Sequence, residues 1–185
     1  MEPLRAITSQ NKMVWMTQPR EDMPIMQRTT NALAIAQGKF EESNGNTELV
    51  IQTAEAFGRG IFADSIAERS SWTMKDWIET ISRDILNPLG IGATITTLSN
   101  DTIHSQIFRM PLHEDANDQH LASLFTYGFL RGLLCSAFPD GEVIMKNSMA
   151  AGAPMTGFVF KLQGSEEDQL ERQKMSEQHS TMKKE

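Results

Sequence analysis

Side chains suited to metal chemistry are concentrated between residues 104 and 120. They are His104, His113, Glu114, Asp115, Asp118 and His120. Metal sites commonly join such groups at short spacings, as in His-x-x-x-His or paired cysteines, and neither pattern occurs here. Acidic residues just before a helix also complement its dipole. The spacing therefore favours a solvated helix N-terminus over a metal site, and His104 and His120 are the remaining candidates for a metal or haem ligand.

The sequence carries no pattern typical of an enzyme. It has no Ser-His-Asp order in motif context and no phosphate-binding loop, and its glycine pair at Gly90 and Gly92 precedes a strand pattern instead of opening a helix. No carboxylate stands in an apolar run that would raise its pKa. We therefore expect a protein without catalytic residues, and the sequence assigns it no definite cofactor.

Charge and composition exclude several partners and compartments. A net charge of -7 and the absence of a basic stripe argue against nucleic-acid binding. No apolar run approaches the roughly 20 residues that span a bilayer, and the first residues lack the apolar block of a signal peptide. Cys135 is the single cysteine, so no intrachain disulfide can form. These features predict a cytoplasmic protein without a membrane span.

Hydrophobic periodicity divides the chain into helices and strands. Helices are expected over residues 29–40, from Thr47, from Thr73 and from Leu121, with strand pairs near residues 93–110 and 143–160. Strands joined by short turns predict antiparallel hairpins and hence an α+β fold. We expect a flexible N-terminal arm over 1–28, a domain over 29–162, and a polar tail over 163–185 that is disordered or a frayed helix. The arm has an alternative role, which is to pack on a second subunit.

Two groups of residues are candidates for a binding site. The aromatic and apolar group could line a pocket or simply form the core, and it comprises Trp72, Trp77, Phe108, Met110, Phe125, Phe129, Leu133, Met145 and Met149. The second group consists of glycines expected to permit close packing, which are Gly58, Gly60, Gly128, Gly132 and Gly152. A glycine inside a helix costs up to about 1 kcal/mol against alanine. Close approach of another helix, a strand, a ligand or a second subunit would offset that cost.

Glycines and aromatic residues also follow a fixed order through the chain. The segments are Tyr127-Gly128-Phe129-Leu130-Arg131-Gly132, Glu142-Val143-Ile144-Met145, Ala151-Gly152-Ala153-Pro154 and Phe158-Val159-Phe160. The upstream segments are Phe57-Gly58-Arg59-Gly60, the Trp77 helix and Leu89-Gly90-Ile91-Gly92. From Glu48 to Leu162 the chain thereby resembles the 4-vinyl reductase domain family. That family shares a superfamily with the TRAPP vesicle-tethering subunits and the haem-dependent nitric-oxide-binding domains.

The resemblance implies a homodimeric, TRAPP-like domain with an apolar cavity. Its ligand would be a hydrocarbon or lipid-like molecule, and the domain would act as a sensor that signals occupancy through the dimer or a protein partner. A TRAPP-like dimeric scaffold is the alternative, and a tetrapyrrole- or haem-binding protein is a third. Many family members carry cysteines near the Gly-rich helix and the small-Gly turn, which this chain lacks, so a metal or redox role of those cysteines does not transfer. Because TRAPP-like relatives include a lipidated cysteine, Cys135 is either a small buried apolar residue or a reactive or lipidated thiol.

Overall fold

The computed structural model describes residues 5–8, 12–20, 22–66, 69, 71–114 and 118–163, which form an α+β fold. The strands are β1 Arg5–Thr8, β2 Lys12–Met16, β3 Gly92–Thr97, β4 Thr102–Arg109, β5 Glu142–Asn147 and β6 Thr156–Lys161. The helices are α1 Met23–Glu42, α2 Thr47–Ser65, α3 Met74–Ile81, α4 Pro111–Glu114 and α5 Gln119–Ala137. A π-helical turn over Ser82–Leu86 extends α3, and a 3-10 turn covers Met149–Ala151. Within these ranges no helix is long and apolar enough to cross a membrane.

A six-stranded antiparallel sheet forms one layer, in the order β1-β2-β3-β4-β6-β5. Burial alternates along its central strands, because successive side chains of a strand point to opposite faces. On β4, for example, Ile103, Ser105 and Ile107 are buried while Gln106 is exposed. The buried face packs against the helical layer, and the hydrophobic core lies between the two.

The N-terminal region corrects the expectation of a flexible arm over residues 1–28. In its described part, β2 pairs with β3, and the Trp15 side chain is 1% exposed in the core. Helix α1 begins at Met23 and not near Thr29, since Pro24 lies in its first turn, where a missing N–H costs no hydrogen bond. The tail expected over 163–185 lies, from residue 164 onward, outside the described residues.

Side-chain caps start α3 and α5, among other helices. The Thr73 hydroxyl accepts a hydrogen bond from the Asp76 backbone N–H at 3.1 Å and begins α3, as the sequence predicts. The Asp118 carboxylate accepts from the backbone N–H groups of His120 and Leu121 and begins α5. Pro111 starts the short helix α4, since a proline is tolerated in the first turn of a helix.

Candidate functional site

Two of the aromatic residues expected to line a pocket lie on α5, and their side chains are buried in the core. Phe125 and Phe129 are 0% and 2% exposed, and the ring of Phe57 on α2 lies 6.2 and 5.9 Å from theirs. Leu133, one turn further along α5, is fully buried. These spacings are those of ordinary aromatic packing. These predicted pocket residues are therefore packed in the core, where Phe57 occupies the space beside the rings of Phe125 and Phe129.

Trp77 joins α3 to both α5 and the sheet. Its indole N–H donates a hydrogen bond to the Leu133 backbone oxygen at 3.2 Å. Its ring makes edge contacts with Phe138 and Phe160, at centroid distances of 6.1 and 5.7 Å. The buried indole thus has its polar atom satisfied, which fits a structural role.

A small gap remains beside Phe129, between α5 and the start of the sheet. Its volume is about 10 Å³, and its lining consists of Leu89, Ile91, Met110, Leu112, Thr126 and Phe129. The Thr126 hydroxyl donates a hydrogen bond to the Ala122 backbone oxygen at 2.8 Å, so its polar group already has a partner. The other lining side chains are apolar. Such a gap has room for about one water molecule. Of the predicted pocket residues, it brings together Met110 and Phe129.

The other predicted lining residues lie apart from this gap. The expectation for Phe108 is wrong, since its side chain is 47% exposed on the face of the sheet that is turned away from the helices. Trp72 is half-buried against Phe62, with ring centroids 5.4 Å apart. Met145 and Met149 are half-buried at the margin of the core. Sequence periodicity did not assign Phe108 to a face because its strand was placed without a register.

Three of the five predicted glycines lie where α2 and α5 cross. A Cβ at Gly58 would clash with the Phe129 backbone oxygen and lie 3.2 Å from the Gly132 Cα, and one at Gly132 would lie 3.0 Å from the Arg59 backbone nitrogen. A Cβ at Gly128 would clash with the Ile51 backbone oxygen. The two helices therefore approach each other through backbone atoms.

Gly60 and Gly152 do not take part in this contact, so the expectation of close packing is wrong for both. A Cβ at either position would meet no atom within 4 Å. Gly60 lies on the exposed side of α2, and Gly152 has a φ of +87°, which places it in the left-handed region after a 3-10 turn. At Gly152 the backbone conformation, not the space around it, favours glycine.

Cys135 lies near the end of α5 beside a small ion-pair network. Its thiol donates to the Gly141 backbone oxygen at 3.6 Å. Glu55 holds Arg59 at 2.9 Å and Arg131 at 3.3 Å. Burial raises the pKa of the Cys135 thiol, and the Arg59 charge opposes this only in part. A raised pKa disfavours the thiolate, which is the reactive form.

The histidine candidates are not joined into a site. His104 lies half-buried on β4, and His120 lies exposed in the first turn of α5. Over the part of the chain that the structure describes, no three His, Cys, Asp or Glu side chains are grouped as a metal site requires. The arrangement offers neither residue the additional ligands of a metal centre.

A polar groove that the sequence did not suggest lies between the start of α1, the end of α2 and the π-helical turn. Its volume is about 390 Å³, and its lining consists of Arg20, Asp22, Pro24, Ile25, Arg28, Ser65, Asp84 and Pro88. Arg28 pairs with Asp64 at 2.6 Å, and Asp84 pairs with Arg83 at 2.7 Å. The groove draws on three distant segments, so no local pattern could have revealed it.

Comparison with solved structures identifies a protein of similar fold. The trafficking protein particle complex subunit 3 from Naegleria fowleri, covalently bound to palmitic acid, aligns with a TM-score of 0.56 and 15% sequence identity. The alignment covers 76% of this chain and 96% of that subunit. The chain has a TRAPP-like fold. No family model matches the sequence, and no curated protein matches it. The TRAPP side of the resemblance is therefore supported at the level of the fold.

Proposed function

We propose that this chain is a non-catalytic interaction module, a TRAPP-like scaffold that acts by assembling with protein. The observation that carries the proposal is the occupied interior, in which Trp77, Phe125, Phe129 and Leu133 are between 0 and 2% exposed. Because packed side chains fill the interior, a partner would be recognised at the surface. The similar structure is itself described as a subunit of a complex, which supports the same function.

Native mass spectrometry of the chain purified from its own cells tests this proposal. The same sample is also extracted with organic solvent, and the extract is analysed for lipids. We expect a native mass above the 20.7 kDa of a single chain that protein alone accounts for. A bare single chain, or a single chain whose extra mass matches a lipid in the extract, would contradict the scaffold.

A second candidate function is binding of an apolar or lipid-like ligand, as in a sensor of the 4-vinyl reductase type. Two observations favour it: the apolar gap beside Phe129, and the palmitic acid bound to the subunit of similar fold. Ligand pockets usually enclose about 300–1,000 Å³, so the gap would have to open. Met110, which is unbranched and adaptable, and the half-buried Leu112 form the wall that could move.

Thermal unfolding with added palmitate separates the two candidate functions. A ligand at about 100 times its dissociation constant stabilises the folded state by about 2.7 kcal/mol. The variant Leu112→Trp fills the gap from its half-buried wall and is the matched control. Stabilisation of the wild type but not of the variant supports ligand binding. Equal melting temperatures with and without palmitate, or equal stabilisation of both proteins, contradict it.

The same proposal includes the domain boundaries, the oligomeric state and the compartment. We take the domain to end near Leu162, as the sequence predicts, and to include β2 at its start because Trp15 is part of the core. The working state is a dimer without a resident cofactor. A reducing, cytoplasmic compartment suits a chain whose only cysteine is Cys135.

A further inference from the structure

The polar groove beside the start of α1 contains two opposite charges without a partner. Arg20 and Asp22 both line the groove, and both residues are exposed. Over the part of the chain that the structure describes, neither side chain makes a hydrogen bond or an ion pair. The groove therefore presents one free guanidinium and one free carboxylate.

The free carboxylate of Asp22 has a cause in the sequence. An aspartate at the N-cap of a helix usually accepts a hydrogen bond from the backbone N–H of the second or third helical residue. In α1 the second residue is Pro24, which has no N–H, and the Asp22 side chain accepts no bond from the first turn. The Asp22 backbone is nevertheless fixed, since its N–H donates to the Pro88 backbone oxygen at 2.8 Å.

The π-helical turn holds the segment that carries both charges. A hydrogen bond from the Asn87 N–H to the Ser82 backbone oxygen closes this turn at 2.9 Å. The Asn87 backbone oxygen accepts from the Arg20 N–H at 2.8 Å, and its side-chain oxygen accepts from the Gln18 N–H at 2.6 Å. Turns of the π-helical kind are rare and are frequently found at functional sites. The two free charges are thus positioned by backbone hydrogen bonds to an unusual element.

The balance of charge in the groove indicates what it can bind. Its other charged lining residues already have partners, in the pairs Arg28–Asp64 and Asp84–Arg83. A simple anion bound at Arg20 would leave the Asp22 carboxylate without a partner, and a simple cation bound at Asp22 would leave Arg20 without one. A molecule that carries both charges satisfies both side chains.

We propose that this groove binds a small zwitterion of the α-amino-acid class. The Arg20 guanidinium donates to the α-carboxylate, and the ammonium group donates to the Asp22 carboxylate. The groove volume of about 390 Å³ lies in the range of small-molecule sites, which is about 300–1,000 Å³. The uncharged lining residues Pro24, Ile25 and Pro88 suit an apolar side chain on the ligand. This inference goes beyond the proposed interaction function and does not depend on it.

L-leucine and two matched analogues test the proposal on the full chain. Isocaproate is leucine without its ammonium group, and isoamylamine is leucine without its carboxylate, so each keeps the apolar side chain. Binding is followed through the backbone amide signals in heteronuclear NMR spectra. We expect L-leucine to shift the signals of Arg20, Ile25 and Asp84. It should bind at least about tenfold more tightly than either analogue, because each analogue lacks one charge-assisted contact.

Variants assign each charge to its group on the ligand. Arg20→Gln and Asp22→Asn each remove one free charge and should raise the dissociation constant for L-leucine at least about tenfold. In Asp22→Asn the advantage of L-leucine over isocaproate should vanish, because the ammonium group has lost its partner. Arg59→Ala removes a surface arginine that lies outside the groove, so it is the matched control and should bind L-leucine as wild type does.

Several results would overturn the proposal. They are the absence of groove shifts at about 10 mM L-leucine, shifts centred elsewhere in the chain, equal binding of L-leucine and both analogues, and binding that either groove variant leaves unchanged. The first result is expected if Arg20 and Asp22 pair with each other in solution. Thermal unfolding of each variant excludes loss of folding as the cause of weaker binding. The comparison of the three ligands on the wild type tests the proposal independently of any variant.

Discussion

Replacing Gly132 with alanine should destabilise the protein, even though alanine is the better helix former. A Cβ there would clash with the Glu55 backbone oxygen and lie 3.0 Å from the Arg59 backbone nitrogen. Because both atoms belong to the α2 backbone, a rotamer change cannot relieve the clash and the helices must move apart. Overpacking costs about 1–3 kcal/mol, and the gain in helix propensity offsets up to about 1 kcal/mol.

The expected net loss is therefore about 1–2 kcal/mol in the free energy of unfolding, or about 2–8 °C in Tm. Urea unfolding followed by circular dichroism measures it. The matched control is Gly60→Ala on α2, where a Cβ would meet no atom within 4 Å, and this variant should gain up to about 1 kcal/mol. A Gly132→Ala protein as stable as wild type would refute the close contact between helices. Equal losses in both variants would show that the loss does not arise at the crossing.

Other variants examine the core, the outer face and the thiol. Trp77→Phe removes the donor to the Leu133 oxygen and should cost about 1–3 kcal/mol by urea unfolding, and an unchanged stability would contradict that hydrogen bond. Phe129→Ala should cost about 3–5 kcal/mol, whereas Phe108→Ala on the exposed face should cost less than about 1 kcal/mol. Similar losses for those two would contradict the assignment of faces. Because burial raises the folded pKa of Cys135, its stabilising contribution is complete below the unfolded pKa and is lost as the pH rises toward the folded value. The free energy of unfolding should therefore fall at alkaline pH more in wild type than in Cys135→Ala, and parallel pH profiles would refute the raised pKa.

Local patterns in the sequence predicted a large part of the fold. The helical period from Thr47, the cap at Thr73 and the apolar helix from Leu121 all correspond to helices of the structure. The strand pairs around the turns at residues 99–101 and 148–155 were also predicted, which is sufficient for an α+β fold. Periods and caps act between residues a few positions apart, so the chain shows them without its partners.

Contacts between distant segments decided two features: the N-terminal strand, and which of the predicted pocket residues are buried and which are exposed. β2 is a five-residue strand whose Trp15 becomes a core residue through pairing with β3, about 80 positions further along the chain. Similarly, the sequence placed Phe108 and Phe129 in one group. Only the register of β4 put Phe108 outside, and only the packing of α5 put Phe129 inside.

The glycines separate the two kinds of information most clearly. Their occurrence inside helices indicated by itself that something had to compensate for the cost of about 1 kcal/mol each. Only the crossing of α2 and α5 showed that Gly58, Gly128 and Gly132 meet backbone atoms, while Gly60 meets open space. A helix sequence specifies which residues share a face, but the partner of that face is selected by the packing of the whole core.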